Sequence, residues 1–310
     1  MTPSALAAYR NDAVYLRTSR YVPPRWEVVR EAVQAVFDLL EREPEAAVRA
    51  VLLFPPPGSQ RLCVIGNFVS TVDGVVSFEI AGKSGGGDIS GFDGSDRFIM
   101  GLLRASADAV VVGSGTLHQT APAHLFVAEH AFPEARDLYA RYRHEVLKKP
   151  APPLQVVVSG SGRVDLTRAI FQTPGIRTLI VTTQAGSDLL AASGAGSLIS
   201  TEVRAVEGPM IASADILELL RAEFGVSLLL HEGGPTLFGK FVEDGCVDEL
   251  FLTLAAQVAG RSMQSQRPGL IAGVEFLPET APWLDIVSVK QRGNHLYLRY
   301  RAAHGRDTAG

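Results

Sequence analysis

Short, mostly apolar runs recur along this chain, each too short for a helix. They fall at residues 61–70, 108–112, 154–158, 178–182, 226–230 and 247–254, with a weaker run at 202–206. Mostly apolar runs of this length suit strands buried on both faces, as in a parallel sheet. Between them the apolar positions change to helical spacing. Phe98, Leu102 and Ala105 share one face, residues 213–224 form a second such segment, and Leu237 with Phe241 and Phe238 with Val242 stand four apart. Residues 131–149 read as a further, mostly polar helix, and the glycine-rich stretch 81–94 as a flexible loop. Two final runs, 286–292 and 295–300, flank Gly293-Asn294, a hairpin signal.

Strands alternating with helices and closed by an antiparallel pair predict an α/β fold. Its central sheet is mostly parallel, with helices on both faces and a C-terminal antiparallel hairpin. Upstream, Val29, Ala32, Val36 and Leu39 predict a helix over 26–43, and Pro55-Pro56-Pro57-Gly58 reads as a linker. Residues 1–58 are therefore expected to be a helical N-terminal extension, and 59–310 the main domain. The last nine residues read as frayed.

The stretch 226–245, VSLLLHEGGPTLFGKFVEDG, combines a buried strand, the turn His231-Glu232-Gly233-Gly234 and a helix opened by Pro235. Main-chain N–H groups at a helix start point outward and attract anions, and glycines let a ligand approach the backbone. An ordinary tight turn is the other reading of this stretch alone. Similar glycine turns follow the runs ending near Ser70, Val112 and Val158. In open α/β sheets ligands sit beyond the carboxyl ends of the strands, so four such turns together point to a nucleotide-type ligand.

Composition narrows this only a little. The 310 residues are 46% hydrophobic and 20% charged, with a formal net charge of −4, which predicts no nucleic-acid partner and no attraction to an anionic membrane surface. No apolar run is long enough to span a bilayer and the N-terminus lacks a signal pattern, so a cytoplasmic location is expected. Cys63 and Cys246 lie in apolar segments and read as buried thiols rather than a disulfide; no metal site is expected.

Several familiar motifs are absent. Gly82-Lys83-Ser84 lacks the earlier glycine and the following helix of a P-loop, since position 77 is Ser77. No G-x-G-x-x-G follows a strand and opens a helix, and no H-E-x-x-H or C-x-x-C occurs.

What is present is an ordered string. It runs Asn67-x-x-Ser70-x-x-Asp73-Gly74, Gly82-Lys83-Ser84, Leu103-Arg104-Ala105-x-x-Asp108-Ala109-Val110-x-Val112-Gly113-x-Gly115-Thr116, Glu232-Gly233-Gly234-Pro235-Thr236-Leu237 and Val247-Asp248-Glu249-Leu250. Over residues 61–302 this resembles the RibD C-terminal reductase family, whose fold is similar to that of dihydrofolate reductase. The resemblance implies NADPH-dependent reduction of a pyrimidine- or pterin-like heterocycle, as in 5-amino-6-(5-phosphoribosylamino)uracil reduction for riboflavin biosynthesis, and a homodimer. It implies cofactor contacts at Thr116, Ser159 and the segment from Gly234 to Lys240, including Pro235, Thr236 and Leu237; the turn chemistry adds Gly233, and Arg163 in the 159–163 loop is the arginine expected for a 2′-phosphate. It implies substrate contacts at Ser84, Arg104 and Glu232; for the catalytic proton, Glu232, Asp73 and a bound water are the candidates. The family's Asp-Asp-Pro run is replaced by His118-Gln119-Thr120-Ala121-Pro122, and no arginine occupies the segment Phe126 to His130. A catalytically diverged nucleotide- or flavin-binding protein of the same fold is the alternative reading.

Overall fold

The computed structural model describes residues 62–265 and 267–303. The helix expected over 26–43, the extension 1–58 and the frayed C-terminus fall wholly or mainly outside that range. The strands are β1 Cys63–Thr71, β2 Ala109–Gly113, β3 Leu154–Ser159, β4 Thr178–Thr183, β5 Thr201–Val206, β6 Leu228–His231, β7 Glu249–Ala255, β8 Leu284–Arg292 and β9 His295–Ala302. The α-helices are α1 Gly86–Ser90, α2 Gly94–Ser106, α3 Ser114–Gln119, α4 Ala128–Ala131, α5 Arg136–Arg141, α6 Ala169–Gln172, α7 Gln184–Ala192, α8 Ser213–Phe224 and α9 Pro235–Glu243.

All nine strands form one sheet in the order β5-β4-β3-β2-β6-β1-β7-β9-β8. Pairing is parallel from β5 through β7 and antiparallel at β7/β9 and β9/β8. This is the architecture expected from the apolar runs, and the reason is visible in burial. Val64, Val111, Val156 and Leu179 pack with Ile216 and Leu220 of α8 and Phe241 of α9. The alternate positions Ile65, Val110, Val157 and Ile180 are also buried, so both faces of these strands are covered.

Helix starts follow their caps. Asp93 accepts from Ser95 N and Asp96 N at the start of α2, and Gly225, at φ +64°, ends α8. Three local readings differ. The stretch 81–94 is not all loop, because Gly86–Ser90 makes a short helix, with Ile89 buried beneath it. The helix expected over 131–149 is broken: Phe132 leaves the helical region, Pro133 starts a 3-10 turn, and Tyr142–Val146 is a π-turn. The helix α7 after β4 carried too few strong apolar positions to be singled out; Thr183 caps it by accepting from Gly186 N.

The hairpin closes at Gly293, φ +55°, and its outer strand β8 has a bulge between Ile286 and Ser288. Among the described residues between β7 and β8 there is no helix or strand. Part of it returns over the sheet, where Val76 N donates to Pro268 O and Ala272 N to Pro235 O.

Candidate functional site

The four glycine turns identified in the sequence follow β3, β2, β6 and β1, which are consecutive neighbours in the sheet. The turns after β2 and β6 approach each other closely. A Cβ on Gly234 would lie 2.8 Å from Thr116 Oγ1, and one on Gly233 would lie 3.3 Å from Gly113 N and 3.1 Å from Leu237 Cδ2. Thr116, Gly233, Gly234 and Leu237 thus form one contact group, with Pro235 as the first residue of α9. A Cβ at 233 or 234 would crowd neighbouring atoms, and glycine avoids this.

The amides here are divided. Glu232 N donates to Val111 O at 3.0 Å, continuing the strand pairing. Gly233 N donates inward to His231 Nδ1 at 3.2 Å. Among the described residues the amides of Gly234, Thr236 and Leu237 have no partner. Those three, at the positive end of α9, are the ones an anion can use.

The next turn, after β3, is built the same way. Gly162, at φ +68°, lies so close to Gly186 that an added Cβ would fall 2.2 Å from its carbonyl oxygen. Thr182 Oγ1 donates to Ser159 O at 2.6 Å, and Thr183 Oγ1 to Gly160 O at 2.9 Å. The Ser159 hydroxyl is 2% exposed and has no hydrogen-bond partner among the described residues. A buried hydroxyl in that condition is costly unless something else meets it. Arg163 is exposed on the rim of this turn.

Glu232 points to a different partner. Arg104, near the end of α2, donates from Nε to both Glu232 oxygens at 3.0 and 3.1 Å, and from Nη2 to Oε2 at 2.7 Å. The side chains are 2% and 7% exposed. Arg104 Nη1 also donates to Leu125 O and Val127 O, and its guanidinium lies over the Phe126 ring, 5.4 Å from the centroid. His124 Nε2 stands 3.4 Å from Arg104 Nη2; arginine can only donate, so this nitrogen is the acceptor. Burial, then the Arg104 charge, then His130 push the His124 pKa down to about 3, which keeps the ring neutral for that contact.

Asp73 and Ser84 belong to the region around the end of β1, and among the described residues no hydrogen bond joins them to Glu232. Asp73 accepts from Thr71 Oγ1 at 2.6 Å, Ala259 N at 3.1 Å and Gly260 N at 2.7 Å. These bonds, led by that from Thr71, hold its carboxyl well below the usual range. A carboxylate so held has no proton to give near neutrality. Ser84 Oγ donates to Ile80 O at 2.9 Å. His124 and His231 were not singled out from sequence. A histidine ending an otherwise aliphatic strand, two residues before a glycine, was the available signal for the second.

Glycine-lined strand ends, open amides at one helix start and an orphaned serine in the next turn lie together at the carboxyl ends of the central strands of an α/β sheet. Residues 63–298 match the RibD C-terminal domain, and the chain belongs to that family. It is 29% identical over 156 residues to the riboflavin biosynthesis protein RibD of Bacillus amyloliquefaciens, a match covering 50% of this chain and 40% of that protein. Among solved structures it is similar to RibD of Acinetobacter baumannii, with a TM-score of 0.60 and 17% identity over 86% of this chain and 63% of that one. It is also similar to a pyrimidine reductase-like protein of Corynebacterium diphtheriae, with a TM-score of 0.59 and 17% identity over 79% and 93% of the two chains. The riboflavin biosynthesis reductase Rib7 of Saccharomyces cerevisiae gives 0.52 and 14% over 87% and 100%. The fold of the described residues is therefore the RibD reductase fold, similar to dihydrofolate reductase. Among the described residues no helix is long and apolar enough to cross a membrane.

Proposed function

We propose that this protein is an NADPH-dependent reductase of a pyrimidine- or pterin-like heterocycle, of the 5-amino-6-(5-phosphoribosylamino)uracil reductase type. The observation that carries this is the contact of the Gly233-Gly234 turn with the Gly113–Thr116 turn, beside three open amides. A cradle with no side chains suits a pyrophosphate, and the helix start supplies its electrostatic complement. Thr116 Oγ1, beside Gly234, and the unsatisfied Ser159 hydroxyl fit further polar contacts along a dinucleotide. Arg163 on the outer rim fits its 2′-phosphate.

Bound NADPH supplies the hydride; the chain supplies position. Glu232, paired with Arg104, is an acceptor for a ring N–H and orients a flat heterocycle. Because Asp73 is held deprotonated, the proton that accompanies the hydride comes from bound water in this scheme. Arg104 spends its donors on Glu232 and two carbonyls, which favours substrates that do not rely on it to grip a phosphate. The same fact supports a second reading, a nucleotide- or flavin-binding protein without turnover.

The reading extends to a cytoplasmic homodimer. Its support is the outer strand β8, where Ile286, Val287 and Val289 are exposed beside Trp283. NADPH fluorescence titration, followed by the loss of NADPH absorbance with pyrimidine and pterin substrates, separates the two readings. Binding with oxidation supports the reductase, binding alone supports the second reading, and absence of binding defeats both for NADPH.

A further inference from the structure

One imidazole closes on the backbone two residues ahead of it, across Glu232. His231 has no exposed surface, and its Nδ1 accepts the Gly233 N–H at 3.2 Å. The Glu232 N–H between them donates to Val111 O at 3.0 Å. The main chain around Glu232 is therefore pinned on both sides, by a strand bond behind and the imidazole bond in front. This is the local side-chain-to-backbone link that Asx turns make, supplied by a ring instead of a short side chain.

The ring is itself fixed. The edges of Phe238 and Phe241 approach at centroid distances of 5.1 and 4.8 Å. Gly233 is the only residue that fits beneath it, since an added Cβ would lie 2.8 Å from His231 Cε1. Accepting at Nδ1 requires the Nε2–H tautomer, and Nε2 is buried without a hydrogen-bond partner among the described residues. Burial lowers the imidazole pKa to about 3, so the acceptor lone pair persists through the neutral range. Leu228, Leu229 and Leu230 precede it, and a fourth aliphatic residue would fill this strand end without an orphaned donor.

We propose that His231 is a positioning residue: by holding the Gly233 amide it aims the Glu232 carboxylate at Arg104 and turns the Gly234, Thr236 and Leu237 amides toward the ligand. This rests on the reading that the Gly233-Gly234 turn is part of the reductase site, but its first test does not. His231→Phe keeps a ring and removes the acceptor. His231→Asn removes the ring but restores an oxygen able to reach an amide two residues on. If His231→Phe does not fold, His231→Leu replaces it.

The measurements are amide exchange at Gly233, the Arg104 Nε–H resonance, and NADPH affinity by fluorescence. In His231→Phe, Gly233 exchanges roughly tenfold faster, about the equivalent of one hydrogen bond, and the Arg104 resonance moves toward that of an unpaired guanidinium. His231→Asn brings both back toward wild type. NADPH affinity falls in the phenylalanine variant and recovers in the asparagine variant. Equal Gly233 exchange in wild type and His231→Phe overturns the proposal, as does equal weakening of NADPH by both variants, which would mark ring volume as the cause. If wild type binds no NADPH, the reductase reading fails, and the exchange and arginine signals still decide the role of His231.

Discussion

The Arg104 guanidinium lies against the Glu232 carboxylate with Nη2 2.7 Å from Oε2, and both side chains are more than nine-tenths buried. One residue comes from a helix, the other from the turn that opens α9, 128 positions later. Removing one member leaves the other charged and uncompensated, so Arg104→Met should cost about 3–5 kcal/mol in urea unfolding. Arg104→Met with Glu232→Gln should recover most of that loss. A double variant as unstable as the single one would show that the pair matters through packing and not charge.

Gly234 has φ −63°, so alanine meets no backbone strain there; the obstacle is Thr116 Oγ1 at 2.8 Å. Gly234→Ala should therefore lower the thermal midpoint and weaken NADPH. Adding Thr116→Ala relieves the contact and should restore the midpoint without restoring affinity, because the methyl still stands in the cradle. Recovery of both quantities would place the pyrophosphate away from this turn.

Two carboxylates give opposite responses to pH. Asp96, half-buried in the first turn of α2, is raised from 3.8 to about 6 by burial, against the Thr253 and Ser90 hydroxyls and with Asp93 nearby. Its proton is held more tightly in the folded chain than in the unfolded one. Its contribution is thus present below 3.8 and lost as pH rises through about 6. Relative to Asp96→Asn, wild type should lose about 1–3 kcal/mol across that window, measured by urea unfolding at its two ends. Asp73 has the reverse sign: its pKa is lowered, so its contribution is present above 3.8 and is lost as pH falls below it. An Asp96→Asn profile parallel to wild type would show that the carboxyl is ordinarily hydrated.

The sequence by itself determined the strands, because runs such as 109–112 and 156–158 are apolar on both faces and can only be satisfied when covered on both. It also determined the hairpin at Gly293 and the helix start at Pro235, where single residues set the backbone. Local propensity misjudged Gly86–Ser90, because Ile89 is buried by contacts distant in sequence, and 131–149, because one proline outweighed the surrounding helix formers. The site was legible as a set of residues but not as a set of bonds. Tertiary structure alone decided that Arg104 meets Glu232, that Asp73 ties down residues 259–260, that Thr116 faces Gly234, and that His231 claims the Gly233 amide. Sheet order and side-chain direction bring those atoms together, and composition and periodicity carry neither.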